Sequence, residues 1–128
     1  TGGEDGADSG GIAESFQAWS TRANAPGADA ASRNALLPGL QHFSRAQLFF
    51  IANAQGWARS MTPAEAQRRI AVDPHSPARF RVLGPLSNSR AFSEAFGCEA
   101  GSPMNRGEER CEVRLLVSVL RAQPSSSC

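Results

Sequence analysis

Lysine does not occur in this chain. All 13 basic residues are arginine, set against 12 acidic ones, for a formal net charge of +1. That balance excludes the strongly basic surface that would hold nucleic acid or an anionic membrane, and the arginine-only usage reads as compositional bias. Long apolar runs are missing too, since none approaches the roughly 20 residues of a membrane span. No basic and apolar leader opens the sequence. The chain begins within what reads as the middle of a fold, so this bears little on compartment. Cysteine is scarce: Cys98, Cys111 and Cys128 leave at least one thiol unpaired, with no Cys-x-x-Cys and no neighbouring His to make a metal site. Histidine stops at His42 and His75. What remains is 128 residues, 41% hydrophobic, with 12 Gly and 8 Pro. This fits one small loop-rich domain or a piece of a larger one.

The apolar pattern is helical along most of its length. From Glu4 to about Thr21, small or apolar residues recur at Ala7, Gly11, Ile12, Ser15, Phe16 and Trp19, one stripe of a helix. Residues 22–39 are rich in Ala, Asn, Gly, Ser and Pro and read as a surface loop. Ala46 to Arg59 is too long for a typical strand and suits a buried helix. Thr62-Pro63-Ala64-Glu65 predicts an N-cap, a proline at the first helical position and a short helix to about Ala71. Asp73-Pro74 ends it, because proline disfavours helix in the residue before it. Arg81-Val82-Leu83 reads as a short extended piece. Asn88 or Ser89 caps another helix through Phe96, which Gly97 terminates. Residues 99–112 read as a charged loop.

Two stretches carry candidate chemistry. Glu4 and Asp8 are four residues apart near the start of the first helix, so they stack on one face. A metal-binding carboxylate backed by a second carboxylate that orients another ligand needs that geometry. Spacing alone more often means solvated charges favoured by the helix dipole. In Asp73-Pro74-His75-Ser76-Pro77-Ala78-Arg79-Phe80-Arg81, a His and an Arg lie six residues apart around a proline-restrained turn. Those types can polarise and hold a peptide carbonyl, although each is also an ordinary turn or surface residue. Asp73 could orient Arg81 or His75, or simply cap the turn. His42 is expected to be exposed at a loop-to-helix junction.

Taken with Leu37-Pro38-Gly39-Leu40, Gln47 to Trp57, Ser93 to Cys98, Ser102 to Asn105 and Arg110 to Val113, these stretches stand in one order and spacing. Over about residues 2–113 the chain resembles the carboxyl-terminal part of the neprilysin and endothelin-converting-enzyme family of zinc metallopeptidases. The resemblance implies a mainly α fold, an incomplete carboxyl-terminal portion of a thermolysin-like catalytic domain. It implies that Glu4 is the third zinc ligand and that Asp8 hydrogen-bonds a ligand His. By the same resemblance, His75 stabilises the oxyanion of the tetrahedral intermediate and Arg81 grips a substrate carbonyl. The Gly10-Gly11 pair is expected to allow close approach of the zinc-binding helix. The implied cofactor is one zinc ion in a full-length parent. The implied partners are peptide substrates and an upstream remainder of the peptidase domain. The parent is expected to be extracellular, either secreted or the ectodomain of a single-pass membrane protein.

The resemblance also marks departures. The family's His-Glu-x-x-His, which supplies two ligands and the general base, is not in this sequence. The isolated polypeptide is therefore expected neither to bind zinc tightly nor to cleave peptides. Cysteines matching Cys98 and Cys111 form disulfides to distant upstream segments in the family; within this chain they could pair with each other. Ala58 stands where the family often has Cys. The family ends in Cys-x-Val-Trp or a close variant, whereas here Arg114 replaces the Trp and an apolar run, Leu115 to Leu120, leads to a Ser-rich end. Residues 114–128 are thus a tail unrelated to the family, either a lineage extension or, the favoured reading, a misread frame. Two rival readings stand beside the enzyme. One is a catalytically inactive truncated remnant that binds peptides or a partner. The other is a free-standing helical scaffold, which requires residues 1–113 to fold cooperatively alone.

Overall fold

A computed structural model describes residues 2–111. The expected tail at 114–128 lies outside the described residues. Among the described residues there are six α-helices, one 3-10 turn and no strand: α1 (Gly2–Asn24), α2 (Ala30–Arg33), α3 (Arg45–Gln55), α4 (Pro63–Val72), α5 (Ala78–Asn88), α6 (Arg90–Phe96) and the turn Gly107–Glu109. The mainly α expectation holds. No helix among the described residues is long and apolar enough to cross a membrane.

α1 begins with Glu4 and Asp5 in its first turn and ends with Arg22 in its last, both matched to the helix dipole. Five glycines weaken its amino half, each by about 1 kcal/mol against alanine, so packing has to hold it. α1 lies along α5, and Ile12 of α1 joins Phe50 of α3 and Leu86 of α5 as the buried apolar centre. Phe16 stacks on Phe50 at 4.9 Å between ring centroids, and Phe92 of α6 meets Phe50 edge-on at 5.5 Å. Gly10 is buried, whereas Gly11 is exposed with open space where a Cβ would lie.

The caps explain the remaining boundaries. Ser44 and Gln47 form a reciprocal capping box that starts α3 one residue before the expected helix. Gln47 also donates to the Ala95 carbonyl at 2.9 Å, tying α3 to α6. Thr62 accepts from the Glu65 amide, with Pro63 in the first turn of α4. Ser89 caps α6, and Gly97 ends it in the left-handed region at φ 64°, with the Cys98 amide donating back to the Ser93 carbonyl. The segment expected to be a surface loop holds the single-turn helix α2, braced by the Arg33–Asp29 ion pair at 2.9 Å. Buried Asn105 organises the last loop, donating to the Cys98 carbonyl at 2.6 Å and accepting from the Gly107 amide. Cys98 is a free thiol, so its pairing with Cys111 is not made.

One expectation is corrected. Arg81-Val82-Leu83 is not extended; it lies in the second turn of α5. Val82, Pro85 and Leu86 recur at helical spacing and together meet the core, and this burial outweighs the β-branched Val82 and the helix-breaking Pro85. The correction matters for the site, because a helix aims Arg81 at α1.

Candidate functional site

The first turns of α1 carry Glu4 and Asp8 on one face, and the α4–α5 connection together with the start of α5 faces them. Arg81 donates to both oxygens of Asp8, Nε to Oδ2 and Nη2 to Oδ1, each at 2.6 Å. Both side chains are largely withdrawn from water, at 16% and 15% exposure. The fork-on-fork geometry fixes the guanidinium in position and plane. With its N–H edge on Asp8, the guanidinium lays one flat face over the Trp57 ring, 4.1 Å from the centroid. The Asp8 hydrogen bonds hold the Arg81 pKa above its ordinary value against the opposing effect of burial, with the charges of Asp8, Glu4 and Asp5 adding to the rise.

His75 sits in the turn between α4 and α5. Its amide donates to Asp73 Oδ1 at 3.0 Å, and its Nδ1 lies 2.7 Å from the same oxygen. Asp73 thus closes the turn and orients the imidazole at once. With Nδ1–H donating to Asp73, Nε2 faces Glu4 Oε2 at 3.5 Å. Asp73 also accepts from Arg69 Nε at 3.0 Å. These hydrogen bonds, the His75 amide foremost, then Arg69 and the His75 ring, hold the Asp73 carboxyl well below the usual carboxylate range. The choice left open for Asp73 therefore falls on His75; Arg81 takes Asp8 instead.

All five candidate residues lie in one cluster, although α1 and α5 are far apart in sequence. Two contributors were not singled out beforehand, Trp57 under Arg81 and Arg69 beside Asp73. The i,i+4 spacing of Arg69, in the last turn of α4, and Asp73, the residue that caps it, was a readable signal for the second; the first depends on tertiary packing. His42 is exposed and lies against Phe43. Arg81 lines two cavities, one of about 200 Å³ shared with Asp8, Asn53 and Trp57, the other of about 300 Å³ shared with His75 and Arg59.

The donors fit part of a metal centre. Glu4 is about half exposed and, among the described residues, its ion-pair contact is the long one to His75, so its oxygens are open to a cation. Asp8 has an Arg81 donor on each oxygen and a second lone pair left on each for a further N–H. That suits it to hold a neighbouring imidazole better than to bind metal itself. Among the described residues no group of three or more His, Cys, Asp or Glu side chains is placed to hold an ion.

Residues 1–113 match the family model of peptidase family M13. The chain belongs to this family. Over 111 residues it is 44% identical to endothelin-converting enzyme 1 of Rattus norvegicus and 43% identical to that of Homo sapiens, a match covering 87% of this chain and 14% of each relative. Neprilysin-11 of Caenorhabditis elegans is 38% identical over 105 residues, 82% of this chain and 12% of that protein. The M13 segment thus spans about one seventh of the length of the converting enzymes it matches. The resemblance to the neprilysin and endothelin-converting-enzyme family is established on these grounds.

Proposed function

We propose that this chain is the carboxyl-terminal segment of the catalytic domain of a zinc-dependent metalloendopeptidase, with residues 1–113 forming that segment and 114–128 a tail outside it. The single observation that supports this most is convergence: Glu4 and Asp8 on one face of α1 meet His75 and Arg81 from the α4–α5 turn and α5, Asp8 by two hydrogen bonds to Arg81 and Glu4 at 3.5 Å from His75. In the complete enzyme Glu4 holds the metal, beside two histidines that this chain does not supply. Asp8 keeps Arg81 in place through both oxygens and accepts the N–H of a ligand histidine. His75, oriented by Asp73, offers Nε2 to the oxygen of the attacked carbonyl, where negative charge develops. Arg81 donates to a substrate carbonyl. When bound, zinc polarises the scissile carbonyl and lowers the pKa of its water. The substrates are peptides, and the parent acts outside the cell, as a secreted enzyme or an ectodomain.

The test is a chimera in which residues 1–113 replace the matching segment of rat endothelin-converting enzyme 1. It is expected to retain one zinc and cleave peptides. Glu4→Gln is expected to lower zinc retention, and His75→Ala to lower kcat by about 100-fold or more with zinc retained, the size of losing one oxyanion donor. A folded chimera without zinc overturns the assignment of Glu4. For the chain alone we expect no equimolar zinc after dialysis against a mild chelator and no peptide cleavage. Either signal would place the metal site elsewhere.

A further inference from the structure

We infer that the peptides cleaved by the complete enzyme to which this chain belongs carry a carboxylate near the scissile bond, received in a cationic recess in which Arg59 is the deciding residue. The inference rests on the proposed function, since it places the recess beside the substrate-holding Arg81. A cavity of about 300 Å³ is lined by Trp57, Arg59, Arg69, His75, Ser76 and Arg81, together with one alanine, and no acidic side chain lines it. Its three guanidiniums are not equivalent. Arg81 is neutralised by Asp8 and Arg69 by Asp73, and both carboxylates sit behind them at 15% and 19% exposure. Arg59 lies exposed in the segment between α3 and α4, with no hydrogen-bond or ion-pair partner among the described residues. It therefore supplies the uncompensated positive charge. Asp73 holds His75 from behind at Nδ1, and Glu4, which faces its Nε2, is turned to the metal in the proposed enzyme. A carboxylate entering the recess meets a guanidinium fork and the Ser76 hydroxyl, while the Trp57 ring offers an apolar wall to the methylenes that carry it. A glutamate or aspartate side chain and a free peptide carboxyl terminus share this chemistry.

The experiment titrates the full 128-residue chain, followed by tryptophan fluorescence and by the Arg Nε–H signals, with three dipeptides. These are acetyl-Phe-Glu-amide, acetyl-Phe-Gln-amide and acetyl-Phe-Gln with a free terminus. At least one acidic peptide is expected to bind about tenfold or more tighter than the neutral amide, and the preference is expected to shrink in high salt. The tighter of the two acidic peptides identifies the source of the carboxylate. Arg59→Gln is expected to remove the preference, and Arg59→Lys to keep most of it. Equal affinity for all three, no binding of any, or a preference that survives Arg59→Gln overturns the inference. Cleavage by the chimera separates this from the reading it rests on. If longer peptides differing only in Glu or Gln are both left uncut, the peptidase assignment fails. If both are cut equally well, only the recess fails.

Discussion

At the scale of single residues, the contact between Asp8 and Arg81 carries the most consequence. Two charge-assisted bonds at 2.6 Å, largely shielded from water, join α1 to α5. A double-mutant cycle with Asp8→Ala and Arg81→Ala is expected to show a coupling of about 1–3 kcal/mol in urea unfolding; additive effects would mean that the pair does not hold the helices. Asp73 acts differently. Its carboxyl pKa lies below the ordinary value of 3.8, so the unfolded chain takes up the proton first as pH falls. Its stabilising effect is therefore fully present above about pH 4 to 5 and is lost as pH drops through the folded value. Across an acid titration, the stability advantage of the native chain over Asp73→Asn is expected to be flat from pH 8 to about 5 and to shrink below 4. An advantage that stays unchanged in acid would mean that the Asp73 carboxylate does not hold the turn.

At the scale of elements, helix ends were the most legible part of the sequence, because caps are local chemistry. Thr62 with Pro63, and Gly97, could be read from a few neighbouring residues and stand where expected, and of Asn88 and Ser89 it is Ser89 that caps α6. Replacing Gly97, at φ 64°, by alanine is expected to destabilise α6 by about 1 kcal/mol. Ser44→Ala, which removes the capping box of α3, is expected to cost about as much. Amide exchange in α6 and α3 respectively checks each; unchanged protection would mean that packing alone sets those ends. α5 was misread because Val82 and Leu83, followed by Gly84 and Pro85, look like a short strand with a turn when local propensity is weighed. The 82, 85, 86 spacing that makes it a helix matters only once α1 is there to pack against. The site followed the same rule. Glu4 and Asp8 share a face by helical arithmetic, and Asp73 reaches His75 across two residues. That Asp8 meets Arg81, and that Trp57 lies beneath it, depended on tertiary packing that no local pattern encodes.

At the scale of the whole molecule, the described residues bury little. Ile12, Ala23, Phe50, Pro85 and Leu86 are the buried apolar side chains, whereas Ile70, Val72 and Phe80 are each at least 60% exposed. Leu36, Leu37 and Leu40 line an open groove of about 550 Å³ with Trp19 and Phe49. Apolar surface left open in this way favours association. The isolated chain is expected to bind a hydrophobic dye in its native state and to self-associate as its concentration rises, measured by fluorescence and sedimentation velocity. A monodisperse, dye-silent monomer would instead favour the free-standing scaffold. The tie between Asp8 and Arg81 also has a temporal side. The two residues are 73 positions apart, which at ribosomal speed is about 4 to 15 seconds of synthesis. Throughout that interval Asp8 has no guanidinium to meet and Ile12 no Leu86 to cover it. The nascent helix needs sheltering then, and any message that stops before the Arg81 codon leaves Asp8 without this partner for good.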